Sequence, residues 1–529
     1  MAFILRFFSP LVPSLYAHPI DHFDLSNCVI NTPVNTEGRP GTLCGLAYPY
    51  NRGYRQNADL PLSPPHGEVF DEIYFADFAH NDLKGIRYFD PEPPLAKLFM
   101  AAGEWSYGWW RLTFDGAHGN AADLGFTPFG WRWLGAVVGT LVVPLMYLLA
   151  HRLWPHRLFA LAAATLTCFD GMFFIQSRIG MIDIYPIFFI LLAYYVFHVH
   201  LDSATPRRSL VTLLLTGTVV GLAIAAKWIA LAALASMLFI LGMRVLRRYL
   251  SISLPSPQGE AQSASWRWGR EEALTFAIPG GAPLAAYLGV AVIAFVALPV
   301  AIYIASWFPF FQRGQFHSLG DLWAYQAAAF NYHAHLKATH PYGSPWYSWP
   351  FLYHPVLYYY EGSGLGVDAA SGHNLVAGME NLGNPWIWWS SIPCVLLMPY
   401  YALRHRSYPA AFIFIGFVTQ YLPWAPITRV LFLYHMFGGL IFMVLALAFV
   451  LARVADGRLE VGIGKAGHEL EAAGRRIATI TGQPVLYIWL AVAIAFFVYF
   501  YPIWAGVPIA DQAYLGRFPT GRMWFATWI

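Results

Sequence analysis

Apolar runs of about 18–24 residues alternate along the chain with short polar breaks, and each run is long enough to cross a hydrocarbon core of about 30 Å. From Trp131 onward they lie near 131–150, 157–175, 181–200, 209–226, 228–246, 284–306, 385–403, 408–425, 429–452 and 484–505. A weaker run over about 2–17 is broken by Arg6, Pro10 and Pro13. A signal peptide is the other reading of that run, although no clear small-residue cleavage site follows it. The pattern predicts an all-α polytopic membrane protein of about eleven transmembrane helices.

Two long polar segments, about 18–130 and 307–384, interrupt the spans. The stretch from Ser251 to Pro283 is rich in Ser, Pro, Gly and Gln and reads as a flexible linker. The chain thus divides into an N-terminal transmembrane module (1–246), a linker (247–283) and a C-terminal transmembrane module (284–529). No period of about 20–50 residues marks a repeat array.

Basic residues in the short connections set the orientation. Arg152 and Arg157, Arg207 and Arg208, Arg244, Arg247 and Arg248, Arg404 and Arg406, and Arg453 and Arg458 all fall on one side. By the positive-inside rule that side is the cytoplasm. The two long segments and the C-terminus then face the exterior, which for a bacterial inner membrane is the periplasm.

Composition agrees. Of 529 residues 57% are hydrophobic and 12% charged, about half the charge density of a soluble domain, near 25%. The net charge of +3 comes without a basic stripe, which excludes a nucleic-acid partner. Cys168 and Cys394 sit in apolar runs and read as small core residues, whereas Cys28 and Cys44 share an exterior segment where a disulfide is permitted. No C-x-x-C pair or H-E-x-x-H helix points to a structural metal.

Against this background, charge at span ends stands out, because ionisable groups at membrane depth are costly. Asp71-Glu72 lies in an exterior segment and can act as a base, bind a cation or simply be solvated. Asp90, Pro91, Glu92, Pro93 and Pro94 then lead into Leu95, Lys97, Leu98, Phe99 and Ala102. The prolines start a helix, and the stripe Leu95, Leu98, Phe99 and Ala102 predicts one lying in the membrane interface. Asp170, Ser177, Arg178 and Asp183 cluster in "FDGMFFIQSRIGMID"; Arg178 suits a phosphate fork, or plain snorkelling beside a capping Asp. Lys227 and Arg429 also sit at exterior span ends, as phosphate ligands or as interfacial anchors. His340, Trp346 and Trp349 lie in an aromatic run fit for an interfacial belt or for stacking on a sugar or peptide, and Tyr434 and His435 follow Arg429. A transporter would instead place such groups near mid-membrane in paired, broken-helix repeats.

Taken in order, five segments resemble the protein O-mannosyltransferase family: Asp71-Glu72 with Asp90 to Lys97, "FDGMFFIQSRIGMID", "AAKW" at Lys227, "HPYGSPWYSWP" from His340, and "RVLFLYH" from Arg429. Glu92 departs from the family pattern, which usually has His there, and the polar segment before Asp71 is longer than expected. The second long segment is too short for the MIR domain of eukaryotic members, so the resemblance is to the bacterial type. It implies a GT-C fold with amphipathic interfacial helices in two exterior loop regions. The implied activity is mannose transfer from polyprenyl-phosphate-mannose to Ser or Thr of a protein, possibly as that protein crosses the membrane, among membrane lipids. The implied roles are Asp71 as base with Glu72 beside it, and Arg178, Lys227 and Arg429 at the donor phosphate. Asp90, Glu92, Lys97, Asp170, Ser177, Asp183, His340, Trp346, Trp349 and His435 would support them. No essential cofactor is expected, a divalent cation being left open. The other reading the residues allow is a GT-C polyprenyl-phosphate-sugar transferase acting on a lipid or an envelope glycan.

Overall fold

The computed structural model describes residues 69–250, 278–362, 364–456 and 465–528. The first expected span, the Cys28–Cys44 pairing and residues 251–277 of the expected linker lie outside the described residues. Each span expected from Trp131 onward falls on helical residues, the 157–175 run being split between Arg157–Cys168 and Gly171–Gln176.

The first long polar segment opens with α1 (Glu72–Lys84), α2 (Leu95–Phe114) and the short α3 (Ala121–Gly125). The first module continues with α4 (Pro128–Leu153), α5 (Arg157–Cys168), α6 (Gly171–Gln176), α7 (Ile184–Leu201), α8 (Pro206–Ala226) and α9 (Leu231–Leu250). Then come α10 (Leu284–Ser306), with a π turn at Ile293–Ala297, α11 (Phe308–Gln312) and α12 (Leu319–His335). Strands β1 (Val356–Glu361) and β2 (Leu375–Asn381) precede α13 (Pro385–Arg404), α14 (Tyr408–Tyr421), α15 (Phe437–Ala455) and α16 (Lys465–Ala505). The chain then adds β3 (Ile509–Ala510) and α17 (Asp511–Leu515). The antiparallel sheet β1-β2-β3 is an addition to the helical architecture expected from the sequence.

Among the described residues six helices are long and apolar enough to cross a membrane: α4, α7, α8, α10, the Leu433–Ala455 helix and Gly482–Ala505. Leu141 and Leu148 on α4, Val292, Val296 and Val300 on α10, and Leu396 and Leu403 on α13 point outward, as lipid-facing positions do. α15 is buried along almost its whole length and forms the centre of the bundle, as an all-round apolar helix must.

At one end of the bundle Arg152 pairs with Asp202 at 2.8 Å and His156 with Asp456 at 3.0 Å. The opposite end carries α1, α2, α12 and the sheet. There a second core forms from Phe78, Tyr88, Phe89, Trp307, Phe310, Phe316, Leu322 and Tyr325.

The helix expected in the interface turns its apolar stripe outward and packs its small residues against the protein. α2 buries Ala96, Met100, Gly103, Glu104 and Gly108, while Leu95, Leu98 and Phe99 are only partly covered and Ala102 is exposed. The cause is close packing: a Cβ on Gly108 would collide with the Ala121 carbonyl, and one on Gly125 with the Glu104 carbonyl. Trp105, Trp109, Trp110 and Phe114 consequently face outward, a composition suited to a membrane–water interface.

Candidate active site

Phe70 adopts a φ of 53°, a left-handed conformation costing a non-glycine residue of order 1–3 kcal/mol. Its ring is held by Tyr358 at 4.8 Å, Phe432 at 6.3 Å and Tyr434 at 6.4 Å. The turn places Asp71 at the head of α1 with its side chain not used as a helix cap.

The two neighbouring carboxylates have opposite surroundings. Glu72 is fully buried; its Oε1 accepts from Arg132 Nε at 2.7 Å and from the Gly180 N–H. Its Oε2 accepts from the Val69 N–H at 2.8 Å and from Arg132 Nη2. Gly180 permits this approach, because a Cβ there would lie 2.7 Å from the Trp131 ring. With both oxygens engaged, Glu72 anchors the turn carrying Asp71. The Asp71 carboxylate, in contrast, accepts no hydrogen bond among the described residues.

Arg132→Met should therefore leave a buried, uncompensated charge and cost about 3–5 kcal/mol of stability. Thermal unfolding in detergent checks this: the Arg132→Met/Glu72→Gln pair should recover much of the loss. A single mutant as stable as wild type would contradict the anchoring role.

Around Asp71 stand groups from distant parts of the chain. Lys227, at the junction of α8 and the next helical turn, donates to Asp183 Oδ1 at 2.8 Å. Burial pushes the Asp71 carboxyl up to about 7; Lys227 pulls it back, and Asp183 and Glu92 push it further up. Glu92 stays below the usual carboxylate range despite burial, because Lys227, His333, Lys97 and Arg429 all favour its charged form. Arg429 lies in the loop between α14 and α15, half-buried, and among the described residues its guanidinium makes no hydrogen bond or ion pair. His435 lies within electrostatic reach of Lys227 and Arg429. Asp71, Glu92, Asp183, Lys227, Arg429 and His435 are thus brought together.

Two further groups were not singled out in the sequence. α12 buries Leu322, Tyr325 and Ala329, and His333 continues that stripe at helical spacing. Burial lowers the His333 pKa, and the ring meets Trp228 edge-on at 6.0 Å and lies against the Pro91 carbonyl. A polar residue extending an apolar stripe was the available signal. The second is Tyr358. The β1–β2 register shifts between Leu357 and Tyr359, and such bulges re-aim side chains beside active sites. Tyr358 turns in, and its hydroxyl accepts from Gln176 Nε2 at 2.8 Å.

The remaining expected residues divide. Asp90 and Lys97 pair in the core, and Lys97 Nζ also donates to the carbonyls of Glu92 at 3.0 Å and Pro93 at 2.8 Å. They fix the loop that presents Glu92. His340 packs beside Phe70 at 6.0 Å and Phe432 at 5.0 Å. Trp349 stacks on His435 at 6.0 Å, and the Trp346 carbonyl accepts from the Tyr421 hydroxyl at 3.0 Å.

Three residues of the "FDGMFFIQSRIGMID" segment have structural positions instead. Arg178 is 1% exposed, donates to the Trp504 carbonyl at 2.9 Å and lies over the Phe174 ring. These contacts tie α6 to the end of α16. Asp170 caps α6 through the N–H groups of Met172 and Phe173, and also accepts from the Asn384 N–H and Trp388 Nε1. Ser177 donates to the Phe174 carbonyl at 2.7 Å and packs against Gly139. Among the described residues no group of three or more His, Cys, Asp or Glu is arranged to hold a metal ion.

Comparison with known proteins follows the same lines. The family model described as "Dolichyl-phosphate-mannose-protein mannosyltransferase" matches residues 61–313. The one described as "C-terminal four TMM region of protein-O-mannosyltransferase" matches residues 318–528. A polyprenol-phosphate-mannose–protein mannosyltransferase of Mycobacterium tuberculosis is 23% identical over 510 residues, covering 87% of this chain and 86% of its own. That of Corynebacterium glutamicum is 24% identical over 493 residues, covering 82% and 81%. Among solved structures, the S. cerevisiae protein O-mannosyltransferase Pmt1-Pmt2 complex bound to the sugar donor matches with a TM-score of 0.61 at 15% identity, covering 87% of this chain and 89% of that one. It shows the shared fold.

Proposed function

The chain belongs to the protein O-mannosyltransferase family, and we propose that it transfers mannose from polyprenyl-phosphate-mannose to Ser or Thr hydroxyls of a protein, with Asp71 as general base. The observation that carries this reading is the contrast between the saturated Glu72 and the unbonded, neutral-leaning Asp71 beside Lys227.

A hydroxyl is a weak nucleophile and gains from a positioned base whose pKa lies near the working pH. Asp71 takes the hydroxyl proton as the oxygen attacks mannose C1 from the face opposite the phosphate. The C1–O bond breaks, its electron pair goes to the phosphate, and the configuration at C1 inverts in one displacement. Lys227 and Arg429 stand where the departing phosphate develops charge, and stabilisation placed there lowers the barrier. Glu72, Asp90 and Lys97 hold the geometry. Because these two cations supply the positive charge, turnover should persist when a chelator is added; a chelator-dependent loss restored by one divalent ion would contradict this.

The site lies at the end of the bundle opposite the Arg-rich connections, which supports an exterior, periplasmic active site in a bacterial inner membrane. The wet, exterior end is also where a polypeptide hydroxyl can arrive, including during translocation.

The pH dependence follows in sign. The base must be ionised, so kcat/KM should rise with pH through about 7 and be lost below it, following the elevated Asp71 carboxyl. A kcat/KM–pH profile checks this, and a flat profile from pH 5 to 8 would contradict it.

A further inference from the structure

The loop from Asp90 to Lys97 is closed by its own bonds. Lys97 holds the Glu92 and Pro93 carbonyls, and the Asp90 carboxylate accepts the Glu92 N–H at 3.0 Å. The Glu92 side chain takes no part: among the described residues its carboxylate accepts no hydrogen bond. The neighbours fix its location. His333 lies against the Pro91 carbonyl and meets the Trp228 ring at 6.0 Å, and Trp228 follows Lys227 directly in the chain. Trp228 is held in turn by Tyr303, whose hydroxyl accepts from its Nε1 at 3.1 Å.

Glu92 therefore shares one enclosure with both cations assigned to the lipid phosphate. The charged and titratable groups facing it are Lys97 and Asp90 from its own segment, Lys227, Tyr303 from α10, Tyr332 and His333 from α12, Arg429 and Tyr434 from the α14–α15 connection, and Asp71. Lys227 is already paired with Asp183 at 2.8 Å. The two cations thus share the enclosure with three carboxylates, Asp71, Asp183 and Glu92, before any ligand enters.

Such an arrangement weakens anion binding, which is at first sight the opposite of what a phosphate site needs. It becomes useful when donor and product are compared. The donor is a phosphodiester with one negative charge. The product, polyprenyl phosphate, is a phosphomonoester that approaches two charges above a second pKa near 6. A fixed carboxylate repels the product about twice as strongly as the donor, since the interaction is linear in charge. Resting on the donor and phosphate assignments above, we propose that Glu92 is a discriminating residue that speeds release of the dianionic lipid phosphate while sparing the monoanionic donor.

The test uses the full chain in nanodiscs, as wild type and Glu92→Gln. Donor KM, kcat and the inhibition constant of added polyprenyl phosphate are measured at pH 6 and pH 8. The substitution should tighten product inhibition by roughly tenfold, the scale of one unit charge across a partly buried site. Donor KM should fall by a clearly smaller factor, and the gap should widen at pH 8, where the product carries its second charge. Equal tightening of donor and product, or an unchanged inhibition constant at pH 8, would overturn the proposal. If the wild type does not turn over this donor, the functional reading fails separately. Equilibrium binding of polyprenyl phosphate against a polyprenyl phosphodiester to both proteins then decides the Glu92 question: a preference for the monoester that appears only in Glu92→Gln supports it, and identical preferences overturn it.

Discussion

Asp71→Asn should lower turnover by about 100- to 10,000-fold, the range that a positioned general base contributes, while donor affinity stays within about threefold of wild type. The argument rests on charge and shape. Asn has the size of Asp and cannot take a proton. Because the Asp71 carboxyl is pushed up to about 7, the neutral form is already well populated in the folded protein. The amide reproduces that form, so the enclosure around Lys227 and Asp183 should be little disturbed. Single-turnover kinetics with a donor-binding assay separate the two quantities. A parallel loss of affinity and turnover would make Asp71 a binding group and not the base.

Lys227→Met should cost about 100- to 1000-fold in kcat/KM, as removal of one group stabilising a developing anion does. It carries a second signature. Lys227 lowers the Asp71 pKa and neutralises Asp183 at 2.8 Å. Its removal leaves Asp183 facing Asp71 unopposed, so the rising limb of the pH profile should move to higher pH. A loss of kcat/KM with an unmoved limb would separate Lys227 from the base. Arg429→Met provides the comparison: Arg429 is not among the groups acting on Asp71, so it should weaken catalysis and leave the limb in place.

Much of this arrangement was legible in the sequence because its signals are local. The spans follow from apolar runs, and the proposed orientation follows from the basic connections. Asp71, Asp183, Lys227 and Arg429 each stand at a span end or at the head of a helix, where charge is conspicuous. What escaped was set by long-range packing. Glu72 reads like Asp71 until Arg132 and Gly180 are brought to it from the far side of the first module. Arg178 sits at a span end like Lys227 and Arg429, yet the end of α16 closes over it, and no local pattern announces a partner more than 300 residues away. His333 enters because α12 packs on the second core, and Tyr358 because a strand is interrupted by one bulged residue. The apolar stripe of α2 follows from helical spacing alone, whereas the close backbone approach at Gly108 and Gly125 that sets its inner face depends on packing against α3.

The central claim is tested most directly by peptide mass. Purified full chain in nanodiscs is incubated with polyprenyl-phosphate-mannose and a peptide rich in Ser, Thr and Pro, beside Asp71→Asn as control. A gain of one hexose on a Ser or Thr with wild type, absent with Asp71→Asn, is the predicted result. An unmodified peptide with the donor bound, and hexose recovered instead on a lipid or envelope glycan, would contradict it.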